Sequence, residues 1–236
     1  RVREILREEA PELYVSLSSE VAPVLGEYER SATALFNAYV GPVIEGYLDE
    51  LVGTLGEAGL RCAPLIVQAN GGLTTPAQTI PIFTVESGPA AGVVGSAHLA
   101  RQLGIADAIA TDVGGTTFKV AIIEGGEWAY AKETVINQYQ LRLPMVDVVS
   151  IGAGGGSIAW IDNGRLRVGP RSASAEPGPA CYGLGGTEPT VTDADVVLGY
   201  ISTDRFLGGR MQLSYDRAYE AIAANIAEPL FEGDVM

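Results

Sequence analysis

Apolar residues recur at helical spacing in the first quarter of the chain. Between Tyr28 and Leu55 they fall at Ala32, Leu35, Phe36, Tyr39, Val43, Tyr47, Leu48 and Leu51, a stripe of the 3.6-residue repeat. Gly41-Pro42 interrupts it. A ring that removes one amide and crowds the preceding turn predicts a kink there, or two helices in succession. The aromatics of the stripe, Phe36, Tyr39 and Tyr47, read as core. A short charged helix, Arg3 to Glu9, and an extended stretch, Tyr14 to Leu17, come before it.

Beyond residue 60 the period shortens. Pro64 to Ala69 is a strand ended by Asn70-Gly71-Gly72. Ser87 is placed to cap a helix running to about Leu103, with Pro89 in its first turn, where a missing amide costs nothing. Gly92 and Gly95 lie in that helix, where each costs about 0.5–1 kcal/mol relative to alanine, so close approach to a sheet or ligand is expected of them. The N-terminus of this helix is either an anion site or the end of a tightly packed helix. His98, the single histidine, reads as structural. Strands Ala108–Val113, Val120–Ile123 and Trp128–Glu133 follow in meander order, and Asp147 to Ile151 runs into Gly152-Ala153-Gly154-Gly155-Gly156-Ser157. Residues 169–195 hold five glycines and four prolines without period, the mark of a functional or mobile loop. Asp193 and Asp195 head a helix from Val196 to Tyr200, as caps first and metal contacts second. Tyr215 to Ala227 is a last amphipathic helix.

Candidate chemistry concentrates where two of the strands meet. Ala108–Val113 carries Asp112 at its end and turns through Gly114-Gly115-Thr116-Thr117 directly into the next strand. Glycine suits a turn with positive φ and the close approach of an anion, and successive N–H groups in one concavity suit phosphate oxygens. Asp112 is placed to hold a hydrated magnesium ion. Two readings fit these residues: a nucleotide phosphate loop, or an ordinary hairpin turn whose amides Asp112 satisfies. No Gly-Lys-Ser/Thr follows, so it is not a Walker loop, and a strand rather than a helix follows, so it is not a dinucleotide fingerprint. The glycine cluster 152–156 is either packing or a second backbone-lined ligand surface.

Composition narrows the classes. Hydrophobic residues make up 47% and charged residues 19% of 236 positions, a globular balance rather than a disordered one. A net charge of −14 with no basic run argues against nucleic acid and anionic membrane as partners. An anion site in so acidic a chain must rest on backbone amides and a metal. No apolar run approaches the roughly 18 residues of a membrane span. Cys62 and Cys181 stand far apart without CxxC spacing, which points to free thiols and a cytoplasmic setting. The chain opens Arg1-Val2-Arg3-Glu4, and reads as a piece of a longer protein.

The motifs, taken in order, resemble one family. Leu17-Ser18-Ser19-Glu20-Val21, Glu29-Arg30, Asn37-Ala38-Tyr39, Gln68-Ala69-Asn70-Gly71-Gly72 and the run Ser87 to Gly95 come first. Asp112-Val113-Gly114-Gly115-Thr116-Thr117, Gly152 to Trp160, Pro177-Gly178-Pro179-Ala180-Cys181-Tyr182-Gly183 and Thr190 to Ala194 follow. Together they resemble the hydantoinase/oxoprolinase family, which includes ATP-dependent hydantoinases, 5-oxoprolinases and subunits of acetone and acetophenone carboxylases.

That resemblance implies an α/β fold: an actin-like ATPase (ribonuclease-H-like) lobe with a mixed sheet flanked by helices, at residues 61–236, on which a helical segment, residues 1–60, packs. It implies ATP and magnesium as cofactors, with Asp112 at the metal and, with Thr116, in the chemistry. Gly114, Gly115, Thr116, Thr117 and Lys119 would then meet phosphate, and Gly154, Gly155, Gly156 and Ser157 would wall the cleft. The hairpin would be the second of two phosphate loops, the first lying elsewhere in the full polypeptide. A cyclic amide such as hydantoin or 5-oxoproline is the implied substrate, a ketone the alternative. The rest of the polypeptide and a second subunit are the implied partners. A non-catalytic assembly domain, with 169–195 as its interface loop, is the other class. Lys119 stands where many members carry Asp, and Val149-Ser150 where many carry His, which leaves room for a carboxylase-type subunit.

Overall fold

The computed structural model describes residues 1–131 and 134–235. Contacts divide it into two compact units, residues 1–110 with 121–148, and residues 111–120 with 149–236. This division runs along a different line from the one at residue 60.

The first unit opens with helices α1 (Val2–Glu9), α2 (Ser18–Val21) and α3 (Glu27–Glu57). Pro42 lies inside α3, which runs as one helix of 31 residues rather than two. Packing on both sides of the proline outweighs the one hydrogen bond it removes. The buried positions of α3 are Ala32, Thr33, Asn37, Gly41 and Leu48. Thr33 donates to the Glu29 carbonyl (2.6 Å) and accepts from the Arg142 amide (2.8 Å). Asn37 accepts from the Ile82 amide (3.0 Å) and donates to the Ser16 hydroxyl (3.0 Å). A mixed face thus points inward, with Ala32, Leu48 and the partly buried Phe36 of the expected stripe in it, while Leu35, Tyr39, Val43 and Tyr47 face solvent: Tyr39 is 83% exposed. Gly41 is glycine for a steric reason, since a Cβ there would sit 2.3 Å from the ring of Tyr14.

Strands β1 (Ile66–Val67) and β2 (Leu73–Thr74) form a short hairpin closed by Asn70 Oδ1, which accepts from the Gly72 amide. Helix α4 (Ser87–Gln102) begins one residue after Glu86, whose φ of 53° and N-cap position displace Ser87 from the capping role expected of it. Ala90, Val93 and Ala97 of α4 pack on Ala110, Ala121, Ile123 and Val146. Alanine, not glycine, makes that contact: Gly92 and Gly95 face open space. His98 is exposed.

Strands β3 (Ala108–Val113) and β4 (Phe118–Glu124) each contribute residues to both units. In the first unit β4 pairs antiparallel with β5 (Glu127–Trp128). The strand expected over Trp128–Glu133 is thus shorter and earlier; Tyr130 makes an isolated bridge to Val146, and 132–133 lie outside the described residues. β6 (Thr134–Ile136) and β7 (Tyr139–Leu141) form a hairpin through Asn137 and Gln138, both at positive φ, the geometry that matches strand twist. A second core joins Val21, Ala32, Ile82, Leu141 and Leu143.

In the second unit β4 pairs antiparallel with β8 (Val149–Ile151), placing Phe118 opposite Ile151, Lys119 opposite Ser150 and Val120 opposite Val149. β9 (Ser157–Asp162) and β10 (Arg165–Ser172) make a longer hairpin. Helix α5 (Val191–Val197) starts at a capping box of Thr190 and Asp193, earlier than the helix expected from Val196. Helix α6 (Tyr215–Ile222) continues through a π-helical turn, Ala223–Ala227. Cys181, Val196, Val197, Leu213 and Ala218 form the core of this unit. The long 169–195 segment is therefore built of a strand end, a 3₁₀ turn (Ala180–Tyr182) and α5. It walls a cavity of about 470 Å³ together with Ile158.

Candidate phosphate-binding hairpin

Three successive peptide units make the site, all in the second unit. The carbonyl of Gly114 accepts from the Gly155 amide at 2.9 Å, and that of Gly115 from the Gly156 amide at 2.6 Å. The carbonyl of Thr116 accepts from the Ser157 hydroxyl at 3.5 Å. In a trans peptide the N–H points opposite to its own C=O. Holding the first two carbonyls toward the glycine cluster therefore turns the amides of Gly115 and Thr116 away from it, while the Thr117 nitrogen packs against Gly154. None of the three has an acceptor among the described residues. The amide of Gly114 is spent on the Thr117 carbonyl (2.9 Å), which closes the turn.

The glycines divide into two kinds. Neither Gly114 nor Gly115 has the positive φ that a turn of this kind was expected to need. A Cβ on Gly115 would meet nothing within 4 Å, so the folded chain itself does not demand glycine there. Gly154 is the opposite case, because its Cβ would lie 2.4 Å from the Thr117 nitrogen and 2.5 Å from the Gly114 oxygen. On Gly156 it would lie 2.9 Å from the Gly115 oxygen. Gly154, Gly156 and Ser157 are buried beneath the hairpin, and the amides of Gly155 and Gly156 are occupied by its carbonyls. The cluster supports the loop instead of offering amides of its own.

The support has a second layer that motif reading missed. Gly155 O accepts from both the amide and the hydroxyl of Thr192 at 2.8 Å, and Gly156 O accepts from the Ala173 amide at 2.8 Å. Thr192 belongs to the Thr190–Ala194 motif, but as a sequence it signals only a helix cap.

Asp112 is exposed, with no partner among the described residues. No group of three or more His, Cys, Asp or Glu gathers as a metal cage among those residues. One carboxylate suits a magnesium ion that keeps most of its water and takes its other ligands from phosphate. Lys119 is half-buried. Asp193 is fully buried and accepts from the amides of Ala180 (3.2 Å), Cys181 (2.7 Å) and Thr190 (2.8 Å) and from the Thr190 hydroxyl (2.8 Å). Four donors on one carboxylate make it a structural anchor and leave no place for the metal contact considered for it. Burial, and then the Asp193 charge, push the neighbouring Cys181 thiol well above its ordinary range. Half-burial raises the Asp195 carboxyl. Both cysteines are free, Cys62 exposed and Cys181 buried. Among the described residues, no helix is long and apolar enough to cross a membrane.

The model of the hydantoinase/oxoprolinase family matches residues 30–235. The acetophenone carboxylase gamma subunit of Aromatoleum aromaticum is 44% identical over 238 residues, covering 98% of this chain and 32% of that protein. The caprolactamase subunit alpha of Pseudomonas jessenii is 40% identical over 233 residues, covering 98% and 34%. The nucleotide-free structure of acetone carboxylase, described as an ATP-dependent carboxylation enzyme, superposes with a TM-score of 0.80 at 30% identity, over 99% of this chain and 34% of that one. The chain thus spans about a third of the length of these relatives. The fold is of the α/β, actin-like ATPase class expected from the sequence.

Proposed function

The chain belongs to the hydantoinase/oxoprolinase family, and from that premise we propose that it is the part of an ATP-dependent enzyme that grips the nucleotide phosphates. The observation that carries this reading is the row of unspent amides at Gly115, Thr116 and Thr117. Three donors from consecutive residues suit the non-bridging oxygens of a phosphate chain.

In this reading the amides of Gly115, Thr116 and Thr117 orient and neutralise phosphate, with the Thr116 and Thr117 hydroxyls beside them. Gly115 leaves room for the anion to approach the backbone. Asp112 would hold the magnesium ion that accompanies the nucleotide. Gly154, Gly155, Gly156 and Ser157 act through the hairpin, by fixing its carbonyls. Lys119, in the strand that leaves the hairpin, adds positive charge on that side. ATP with magnesium supplies the phosphoryl group that converts a carbonyl oxygen into a leaving group or a trapped enolate. Phosphoryl transfer asks of a protein mainly position and charge neutralisation, which is what fixed amides provide.

The full-length protein, on this proposal, opens a cyclic amide in the cytoplasm, together with a second subunit. A ketone carboxylase is the second reading, favoured by the 44% identity to an acetophenone carboxylase subunit and by Val149-Ser150 in place of histidine. Titration of the full-length protein with ATP and magnesium tests the site. Binding lost in a Thr116→Val, Thr117→Val double variant and in Gly115→Ala supports it, and binding indifferent to them overturns it. Turnover of caprolactam or 5-oxoproline against bicarbonate-dependent turnover of acetophenone then separates the two reactions.

A further inference from the structure

The outward face of α3 is apolar where a lone helix face would be polar. Tyr28, Leu35, Tyr39, Val43 and Tyr47 lie at successive steps of seven and four residues, and each is more than half exposed, from 58% at Tyr28 and Tyr47 to 83% at Tyr39. At 1.5 Å per residue the stripe is roughly 29 Å long. Its N-terminal half opens into a groove of about 710 Å³, walled by Tyr28, Leu35, Phe36, Tyr39 and Tyr139, where Phe36 and Tyr139 meet edge to face with centroids 5.6 Å apart. A contiguous exposed apolar patch of this kind, rich in tyrosine, has the composition of an interface core. The opposite face of α3 already holds the helix to its own unit through Thr33, Asn37 and Leu48. The stripe is therefore not needed for that attachment.

Charge selects the occupant. Glu29 of α3 is paired with Arg142 and Glu45 lies beside Tyr14, which leaves Glu27, Asp49, Glu50 and Glu57 against the single α3 cation Arg30. A second copy would bring the same acidic surroundings to the contact, and like charges across an interface cost affinity. We propose that this stripe docks a different polypeptide, through an apolar ridge on the partner flanked by lysine and arginine. The proposal rests on the reading that the full-length protein works as one subunit of an assembly, as the names of the acetophenone carboxylase gamma and caprolactamase alpha subunits state for those relatives. It names the surface and its chemistry, neither of which the phosphate hairpin determines.

The test uses the full-length protein and a synthetic 20-residue amphipathic helix with a leucine ridge and lysine flanks, beside the same peptide with glutamate flanks. The lysine peptide should bind at least about tenfold more tightly than the glutamate one, and a Tyr39→Glu, Val43→Glu double variant should lose that binding. ATP binding and the melting temperature should be unchanged in the same variant, so failure of the docking surface and failure of the phosphate site are read separately. Equal affinity for the two peptides overturns the proposal. So does a sedimentation mass of the wild type that halves in the double variant, which assigns the face to a second copy. The third arm is thiol labelling of Tyr39→Cys, with exposed Cys62 as the internal reference. Labelling at the rate of Cys62 supports a free face; protection in the full-length protein gives the stripe to its own polypeptide and overturns the proposal.

Discussion

The amide of Gly155 donates to the carbonyl of Gly114 across 2.9 Å, and this contact decides which way the hairpin faces. Its neighbours repeat the arrangement one residue on, Gly156 to Gly115 at 2.6 Å. The orientation of the loop is thus a property of two segments far apart in the chain, and it can be perturbed from either end.

Gly154→Ala perturbs it from below. A methyl group placed 2.4 Å from the Thr117 nitrogen has to move hairpin backbone. The expected cost is about 1–3 kcal/mol of stability, together with a loss of ATP affinity of about tenfold or more. Denaturant unfolding and nucleotide titration of the full-length variant measure the two; a variant normal in both would show that the cluster does not hold the loop.

Gly115→Ala works from above. Its methyl enters open space in the free protein. Stability should therefore stay within about 0.5 kcal/mol of wild type, while ATP binding weakens because the anion can no longer reach the backbone. A hairpin with no ligand predicts no change in either.

Asp112→Asn should be silent in unfolding experiments, since the exposed carboxylate has no partner among the described residues. Magnesium-dependent ATP turnover should fall by about two orders of magnitude or more in the intact enzyme, the usual scale for removing one electrostatic contributor. Unchanged turnover would remove Asp112 from the metal site.

Asp193→Ala should be the most damaging of these substitutions. It strands the amides of Ala180, Cys181 and Thr190 in a buried place, at about 3–5 kcal/mol for an anchor carboxylate. The neighbouring thiol gives a pH signature. The folded value of Cys181 lies above its unfolded one, so its contribution is whole below the ordinary thiol range and is lost as pH rises beyond it. Urea midpoints measured from about pH 7 to 10 should decline, and the decline should be shallower in Cys181→Ala.

Gly41→Ala reverses a general expectation. Alanine in a helix is favoured over glycine by about 1 kcal/mol, yet here it meets the Tyr14 ring at 2.3 Å and should lower the melting temperature. Pairing it with Tyr14→Ala should restore much of the loss.

Much of this was legible in the residues. The strand Ala108–Val113 has the predicted bounds, because alternation and a glycine pair punctuate it sharply. The hairpin was placed by chemistry as much as by period. Two kinds of feature escaped. The inward face of α3 carries Thr33, Asn37 and Gly41 beside the expected Ala32 and Leu48, and a reading that follows apolar side chains assigns those three to solvent. Glycine composition does not say whether a glycine borders open space, as Gly115 does, or makes room for another stretch of backbone, as Gly154 does. Only the facing atoms decide that. Thr192 was missed likewise: its hydroxyl holds Gly155 O, a contact no local pattern encodes.

The three tethered carbonyls have a kinetic and thermodynamic corollary. A loop that had to search for the orientation in which its donors converge would lose conformational freedom at every encounter with an anion, and its affinity would drop accordingly. On the proposed reading that ordering is completed during folding, so capture of phosphate would not wait for the loop to rearrange. The same rigidity makes the loop poorly transferable: grafted into another scaffold without residues 154–157 beneath it, the sequence from Asp112 to Thr117 would be a floppy turn.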